Sequence, residues 1–174
     1  MIQNEIVTER LILRPLKKED NWDWLEIFNS KNVGKFISKI DNIEKIDKLI
    51  ENRIEKYKAK KGQVFSIVEK NTAKVIGTIE LKYLDDNCAE ISYVMNYKFW
   101  NKGFATESSK SLIDYAFNVL NAKKIVADCL ETNMSSMHIL KDKLQMKQTG
   151  IETRIDKTSN KPLHFVCFEL ENDD

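Results

Sequence analysis

The sequence predicts an α+β domain on a mostly antiparallel sheet of about six to seven strands, with one parallel pair and flanking helices. Three observations carry this. Three short runs of alternating or continuous apolar residues, 64–68, 75–81 and 88–94, are joined by tight polar turns. A helix-like run over 105–120 separates the strand-like runs 88–94 and 124–130. Two further strand-like runs, near 148–155 and 162–170, close the chain. Short links make successive strands antiparallel, whereas strands joined through a crossover helix run parallel.

Each element has its own signal. Thr8-Glu9-Arg10-Leu11-Ile12-Leu13-Arg14-Pro15-Leu16 alternates apolar with polar residues and reads as an opening strand. Trp22, Leu25 and Phe28 then fall at helical spacing, and 29–41 reads as a loop or broken helix. Ile43, Ile46, Leu49, Ile50, Ile54 and Tyr57 make one apolar stripe, an amphipathic helix. The basic run Lys58-Ala59-Lys60-Lys61 complements its C-terminal dipole before Gly62 stops it. Residues 71–74 and Asp85-Asp86-Asn87 are turns between the three central strands. The helix over 105–120 buries Leu112, Ile113, Ala116, Phe117 and Leu120, and 135–144 reads as a short helix. No repeat, low-complexity stretch or linker divides the chain, so one domain over 1–174 is expected.

Composition removes several function classes. Lys plus Arg number 28 against 27 acids, a net charge of +1, so nothing drives nucleic-acid binding by charge alone. No apolar run approaches a membrane span, and Met1-Ile2-Gln3-Asn4-Glu5 lacks a signal-peptide core. Cys88, Cys129 and Cys167 are odd in number and without a Cys-x-x-Cys pair, which reads as buried free thiols in a reducing cytoplasm. Two histidines are too few for a His-rich metal site, and no metal is expected.

The most informative stretch is Phe99-Trp100-Asn101-Lys102-Gly103-Phe104-Ala105-Thr106-Glu107, between a strand and a helix. Gly103 permits a φ that other residues resist. The amides of Lys102, Gly103, Phe104, Ala105 and Thr106 lie at a positive helix end, a nest for phosphate. Lys98 and Lys102 add charge nearby, and Glu107 reads as a first-turn cap. The stretch lacks the Gly-Lys-Ser/Thr of a P-loop and the three glycines of a dinucleotide turn. Taken alone it also fits a tight turn with no ligand.

Trp100-Asn101-Lys102-Gly103-Phe104-Ala105-Thr106-Glu107 closely resembles the pyrophosphate loop of the GCN5-related N-acetyltransferases (GNAT), in the branch of the ribosomal-protein alanine acetyltransferases (RimJ/RimL-like). Thr8 to Leu16 resembles that branch's first strand, and Glu90-Ile91-Ser92-Tyr93-Val94-Met95 its fourth. Asn133-Met134-Ser135-Ser136 with Leu140-Lys141-Asp142-Lys143-Leu144 resembles its Asn-x-x-Ser helix start. Two departures stand out. Trp100 replaces the superfamily's frequent Gln or Arg, and Leu144-Gln145-Met146 replaces Leu-Gly-Phe, which puts the helix cap and the following wall in question.

The resemblance implies a GNAT-type sheet with its parallel pair splayed, and acetyl-CoA as donor to an amine: a protein N-terminus or a small molecule. It implies that the amides of Lys102–Thr106 hold the diphosphate and that Val94 and Met95 pair with the pantetheine arm. Asn133 and Ser136 would bind the arm from the other side, with Ser136 helping to protonate the leaving sulfur. Without the resemblance, Asn133 and Ser136 read as a helix cap and its first turn. The attacking amine must lose a proton, and a carboxylate acting directly or through water is the expected base. Glu90 shares a strand face with Ser92 and Val94, Asp128 interrupts an apolar strand, and Asp156 follows the last strand but one. Each also fits a structural or surface carboxylate, and ordered water is the fourth possibility. The position where some relatives carry a proton-donating tyrosine is Leu140, Tyr115 reads as packing, and His138 as helix surface. Trp22, Trp24, Phe28 and Phe36 fall where the family builds an acceptor wall, with core packing the expected role for most. Two other functions stay open: a CoA-binding sensor without transfer, and a general phosphate- or nucleotide-binding module. The chain is expected to act in the cytoplasm as a monomer or homodimer.

Overall fold

The computed structural model describes residues 5–59, 62–85, 87–156 and 159–172. Lys60 and Lys61 of the expected basic run, and Asp86 of the expected turn, lie outside the described residues. Eight strands form one sheet in the order β1-β2-β3-β4-β5-β6-β8-β7. All pairs are antiparallel except β5 with β6.

The eighth strand comes from the start of the chain. Thr8 to Arg10 form a turn rather than strand: the Thr8 amide donates to the Leu11 carbonyl at 3.0 Å, and the Leu11 amide donates to Thr8 Oγ1 at 2.9 Å. This turn joins β1 (Ile6–Val7) to β2 (Leu11–Pro15). A 3₁₀ turn and α1 (Asn21–Phe28) follow, and 29–42 holds only the 3₁₀ turn Val33–Lys35 before α2 (Ile43–Lys58). The expected meander is β3 (Gly62–Glu69), β4 (Val75–Tyr83) and β5 (Cys88–Met95). The crossover helix α3 (Phe104–Asn118) leads to β6 (Lys124–Leu130). α4 (Met134–His138) runs on as one π turn, Ile139–Lys143, in place of a single α-helix over 135–144. β7 (Lys147–Ile155) and β8 (Pro162–Glu171) form the closing hairpin.

Strand alternation divides the core between the two faces. Leu13, Phe65, Ile67, Ile79 and Ile91 face α3, where Leu112 and Ala116 are fully buried. Val64, Val68 and Val75 face α1 and α2, against Trp24, Ile27, Ile46 and Ile50. Cys129 is buried, but Cys88 and Cys167 are only half-buried, because they point to the faces less well covered by helix. On the α1 side Asp20 is 4% exposed. Its carboxylate accepts from Arg14 at 2.6 and 2.9 Å, from Ser66 Oγ at 2.6 Å and from the Lys17 amide at 3.0 Å, so the buried charge is paired and its lone pairs are filled.

The loss of glycine after the last helix is absorbed locally. Gln145 takes the left-handed conformation itself, with φ +55. The Met146 amide then reaches back to the Leu140 carbonyl at 3.0 Å, and Met146 is buried. Among the described residues no helix is long and apolar enough to cross a membrane, and no group of His, Cys, Asp and Glu is placed to hold a metal ion.

Candidate active site

The site begins where the parallel pair stops. β5 pairs with β4 along its whole length, from Ala89 opposite Tyr83 to Met95 opposite Gly77. On its other side it pairs with β6 at Cys88, Ala89 and Glu90 only. The strands then part, and the β5 edge over 91–95 faces an opening rather than a neighbour. Gly77 lets β4 lie close against the paired side of β5: a side-chain carbon at that position would lie 2.7 Å from the Val94 carbonyl oxygen and 2.6 Å from Met95 Sδ. Trp100 closes one end, its indole N–H donating to the Met95 carbonyl at 2.9 Å.

The phosphate-type turn lies at the end of that edge. Asn101 has φ +60 and Gly103 φ +80, so the chain passes through the left-handed region twice within three residues. The first helical bond of α3 runs from the Glu107 amide to the Gly103 carbonyl at 3.0 Å. The amides from Gly103 to Thr106 therefore precede any helical acceptor and sit at the positive end of a helix of fifteen residues. Glu107 does not cap its own helix. Its carboxylate accepts from Thr8 Oγ1 at 2.6 Å, from the Arg10 amide at 2.8 Å and from Arg10 Nε at 2.7 Å. Burial alone would raise the Glu107 pKa, but these donors outweigh it and hold the carboxylate below its ordinary range. The Arg10 guanidinium also donates to the Lys102 carbonyl at 2.9 Å and lies 4.6 Å over the Phe104 ring. The clamp turns that carbonyl away and keeps the carboxylate off the turn. The two expected lysines are occupied elsewhere: Lys98 pairs with Glu26 at 2.8 Å, and the Lys102 ammonium lies 5.0 Å over the Phe99 ring.

α4 supplies the opposite wall. Asn133 Oδ1 accepts from the Ser136 amide at 3.2 Å, the helix-cap role. Ser136 Oγ and the Tyr93 hydroxyl share a hydrogen bond of 3.0 Å. Burial pushes the Tyr93 pKa up to about 12, and that of Cys129 beside Ser136 up to about 11, so both keep their protons at neutral pH. Tyr93 is a cleft residue to which sequence reasoning gives no role. The signal is its alternation with Ile91 and Met95, which turns its hydroxyl toward the α4 side where a buried O–H needs a partner.

Together these walls enclose a cleft of about 560 Å³ that holds Val94, Met95, Gly103, Phe104, Ala105, Thr106, Asn133 and Ser136; Lys102 contributes backbone to the turn beside it. Val33, Phe36 and Ile37 roof it from the α1–α2 connection, with the Phe36 and Trp100 rings 6.3 Å apart. Trp24 and Phe28 are core, and Trp22 is 68% exposed on α1, so Phe36 is the one aromatic of the expected acceptor wall that reaches the cleft. Tyr115 is buried packing as expected, and His138, paired with Asp142 at 2.7 Å, sits on the cleft's edge.

Among the described residues no Asp or Glu lines this cleft. Glu90 sits at the fork itself but is paired with Lys82 at 3.0 Å. Asp128 is bound by Arg154 at 2.5 Å across the β6–β8–β7 end of the sheet. Asp156 accepts from Ser159 Oγ at 2.5 Å in the β7–β8 turn. The structure thus gathers the expected backbone and α4 residues, and gives each expected acid a cation or a turn to serve.

The model for the acetyltransferase (GNAT) domain matches residues 10–146. The chain belongs to the GNAT acetyltransferase family. An uncharacterized N-acetyltransferase of Bacillus licheniformis, p20, is 30% identical over 95% of this chain and 94% of its own length. The fold of this acetyltransferase superimposes on a GNAT-family acetyltransferase from Bacillus anthracis with a TM-score of 0.86, at 22% identity over 98% and 99% of the two chains. It also superimposes on RimL, the ribosomal L7/L12 α-N-protein acetyltransferase, in complex with coenzyme A, with a TM-score of 0.83 at 16% identity over 97% and 98%. This GNAT enzyme is therefore an N-acetyltransferase, with the splayed pair and glycine turn at the centre of its cleft.

Proposed function

We propose that the enzyme moves acetyl from acetyl-CoA directly to an amine of low pKa, a protein N-terminus or a small-molecule amine, within one cytoplasmic domain spanning 1–174. One observation carries the reading: the unpaired β5 edge and the amino end of α3 open into the same cleft. The amides of Lys102, Gly103, Phe104, Ala105 and Thr106 hold the diphosphate. The amide-bearing arm pairs with the edge at Val94 and Met95 as an added strand, and an N–H there polarises the thioester carbonyl. Asn133, its oxygen used by the cap, offers its amide nitrogen to the arm. The amine nitrogen attacks the carbonyl carbon, the C–S bond breaks, and Ser136, oriented by Tyr93, donates a hydrogen bond to the departing sulfur. The surplus proton of the amine leaves to water.

The acceptor class follows from the missing acid. With no carboxylate among the described residues lining the cleft, the amine arrives already neutral. At pH 7 about one in ten α-amines of pKa ~8 is neutral, against fewer than roughly one in a thousand lysine amines of pKa ~10.4. That RimL is named for an α-N-protein acceptor supports the same chemistry.

Calorimetric titration with acetyl-CoA, CoA and ATP, followed by thiol-release assays on N-terminal peptides and small amines, tests the reading. Acetyl-CoA is expected to bind and ATP to bind far more weakly. Gly103→Val, which forces a branched residue to φ +80, is expected to weaken acetyl-CoA binding at least tenfold while the circular dichroism spectrum is unchanged. The pH profile of kcat/KM is expected to rise up to the acceptor's own pKa and to move when the acceptor is changed. Glu90→Gln is expected to leave that profile in place. One break at the same pH for every acceptor, abolished by Glu90→Gln, would assign the base to Glu90. CoA binding with no turnover on any amine would point to a sensor.

A further inference from the structure

The far edge of the sheet carries a feature the reaction does not use. β7 ends the strand order, pairing with β8 on one side only, and all nine of its residues are exposed. Ile151 is 56% and Ile155 58% exposed. An edge strand of this length directs alternate main-chain N–H and C=O groups outward, unpaired.

Its sequence has a particular symmetry. In Ile151-Glu152-Thr153-Arg154-Ile155, a two-fold axis through Thr153 sets Ile151 against Ile155, Glu152 against Arg154 and Thr153 against itself. Residues directly opposed in an antiparallel pair share a face. The isoleucines and Thr153 would meet on the face toward α3, since Ile151 lies opposite Val166 of the buried cluster. The charges would meet on the other face. There Arg154 is already held, its guanidinium 4.4 Å over the Phe165 ring and bonded to Asp128 and Glu152. A fixed arginine loses less freedom on meeting a further, third carboxylate. An axis through Ile151 would instead set Arg154 against Gln148 and Glu152 against Gly150, wasting both charges. The bulge between Gln148 and Gly150 bends the strand where that register would need it regular.

We infer that β7 is a homodimer interface, in which two copies pair antiparallel about Thr153 and join their sheets edge to edge. Five residues per strand bury less than the ~1,200 Å² of a standard interface, so association is expected in the micromolar range.

Light scattering and sedimentation of the full chain across concentration test this. The expected result is a rise toward twice the 20.3 kDa protomer mass. Glu152→Arg puts arginine against Arg154 twice, and Arg154→Glu puts glutamate against Glu152 twice, so each variant alone is expected to stay monomeric with an unchanged circular dichroism spectrum. An equal mixture of the two restores opposite charges at both contacts and is expected to recover the dimer. Thr153→Cys is expected to give a covalent dimer on mild oxidation, with the disulfide traced to position 153 of both copies by peptide mass. A monomer at every concentration overturns the inference. So does a dimer that survives both charge variants, or one in which the Thr153→Cys chain forms no such link, since association would then use another face or another partner strand.

Discussion

Gln145 and Gly103 occupy the same backbone region, at φ +55 and φ +80, with opposite side-chain endowments. A non-glycine residue there costs about 1–2 kcal/mol, and glycine costs about 0.5–1 kcal/mol in chain entropy. Gln145→Gly is therefore expected to stabilise the fold by up to about 1 kcal/mol, a rise of roughly 2–4 °C in the thermal midpoint for a chain of this size. Differential scanning calorimetry measures it; a fall would mean that the exposed Gln145 side chain contributes something its conformation does not reveal. At this scale the left-handed turn at Gly103 was legible, because a lone glycine between a strand and a helix marks a backbone position that other residues resist. The Tyr93–Ser136 bond was not, because its partners are 43 residues apart and only the sheet brings them together. The partners of the acids were hidden for a related reason. Carboxylates are scattered over the whole sequence, and nothing local says which of them will meet Lys82, Arg154 or Ser159 first.

Between elements, the Arg10–Glu107 clamp fastens the β1–β2 turn to the first turn of α3. It adds nothing to the cleft directly and acts through the Lys102 carbonyl. Arg10→Ala is expected to raise KM for acetyl-CoA about fivefold, the worth of roughly one hydrogen bond, with kcat and the KM for the amine unchanged. A parallel loss in all three would indicate general loosening instead. Glu107 could not be recognised as half of this clamp from its own helix, where a first-turn acid reads as a cap. The helices and the central meander were legible because their periodicities are clean. The start of the first strand was not, since Thr8, which alternates well, folds its hydroxyl back onto Leu11 and makes a turn. The π turn at Ile139–Lys143 has no signature in an apolar pattern that also fits an ordinary helix.

Over the whole molecule, acid stability rests on carboxylates held below their ordinary range. Burial works to raise the Asp20 pKa, and the donors Arg14, Ser66 and Lys17 reverse it to a net lowering; Glu107 behaves alike. A carboxylate with a lowered folded pKa contributes stability that is complete above its unfolded value, about 3.9–4.3, and is lost as pH falls through the folded one. The midpoint for thermal unfolding is thus expected to drop steeply below about pH 4. Asp20→Asn leaves the half-buried Arg14 without its anion and is expected to cost about 2 kcal/mol at neutral pH, removing part of that acid dependence. Melting curves of both proteins from pH 3 to 7 check it; equal slopes would place the acid sensitivity elsewhere. The parting of β5 from β6 reaches further than catalysis. A sheet interrupted midway is incomplete by one short strand, and in the proposed function the amides of the cosubstrate take that place. On that reading the acyl carrier completes the sheet as well as supplying the acyl group, so its binding is expected to raise the resistance of the fold to unfolding.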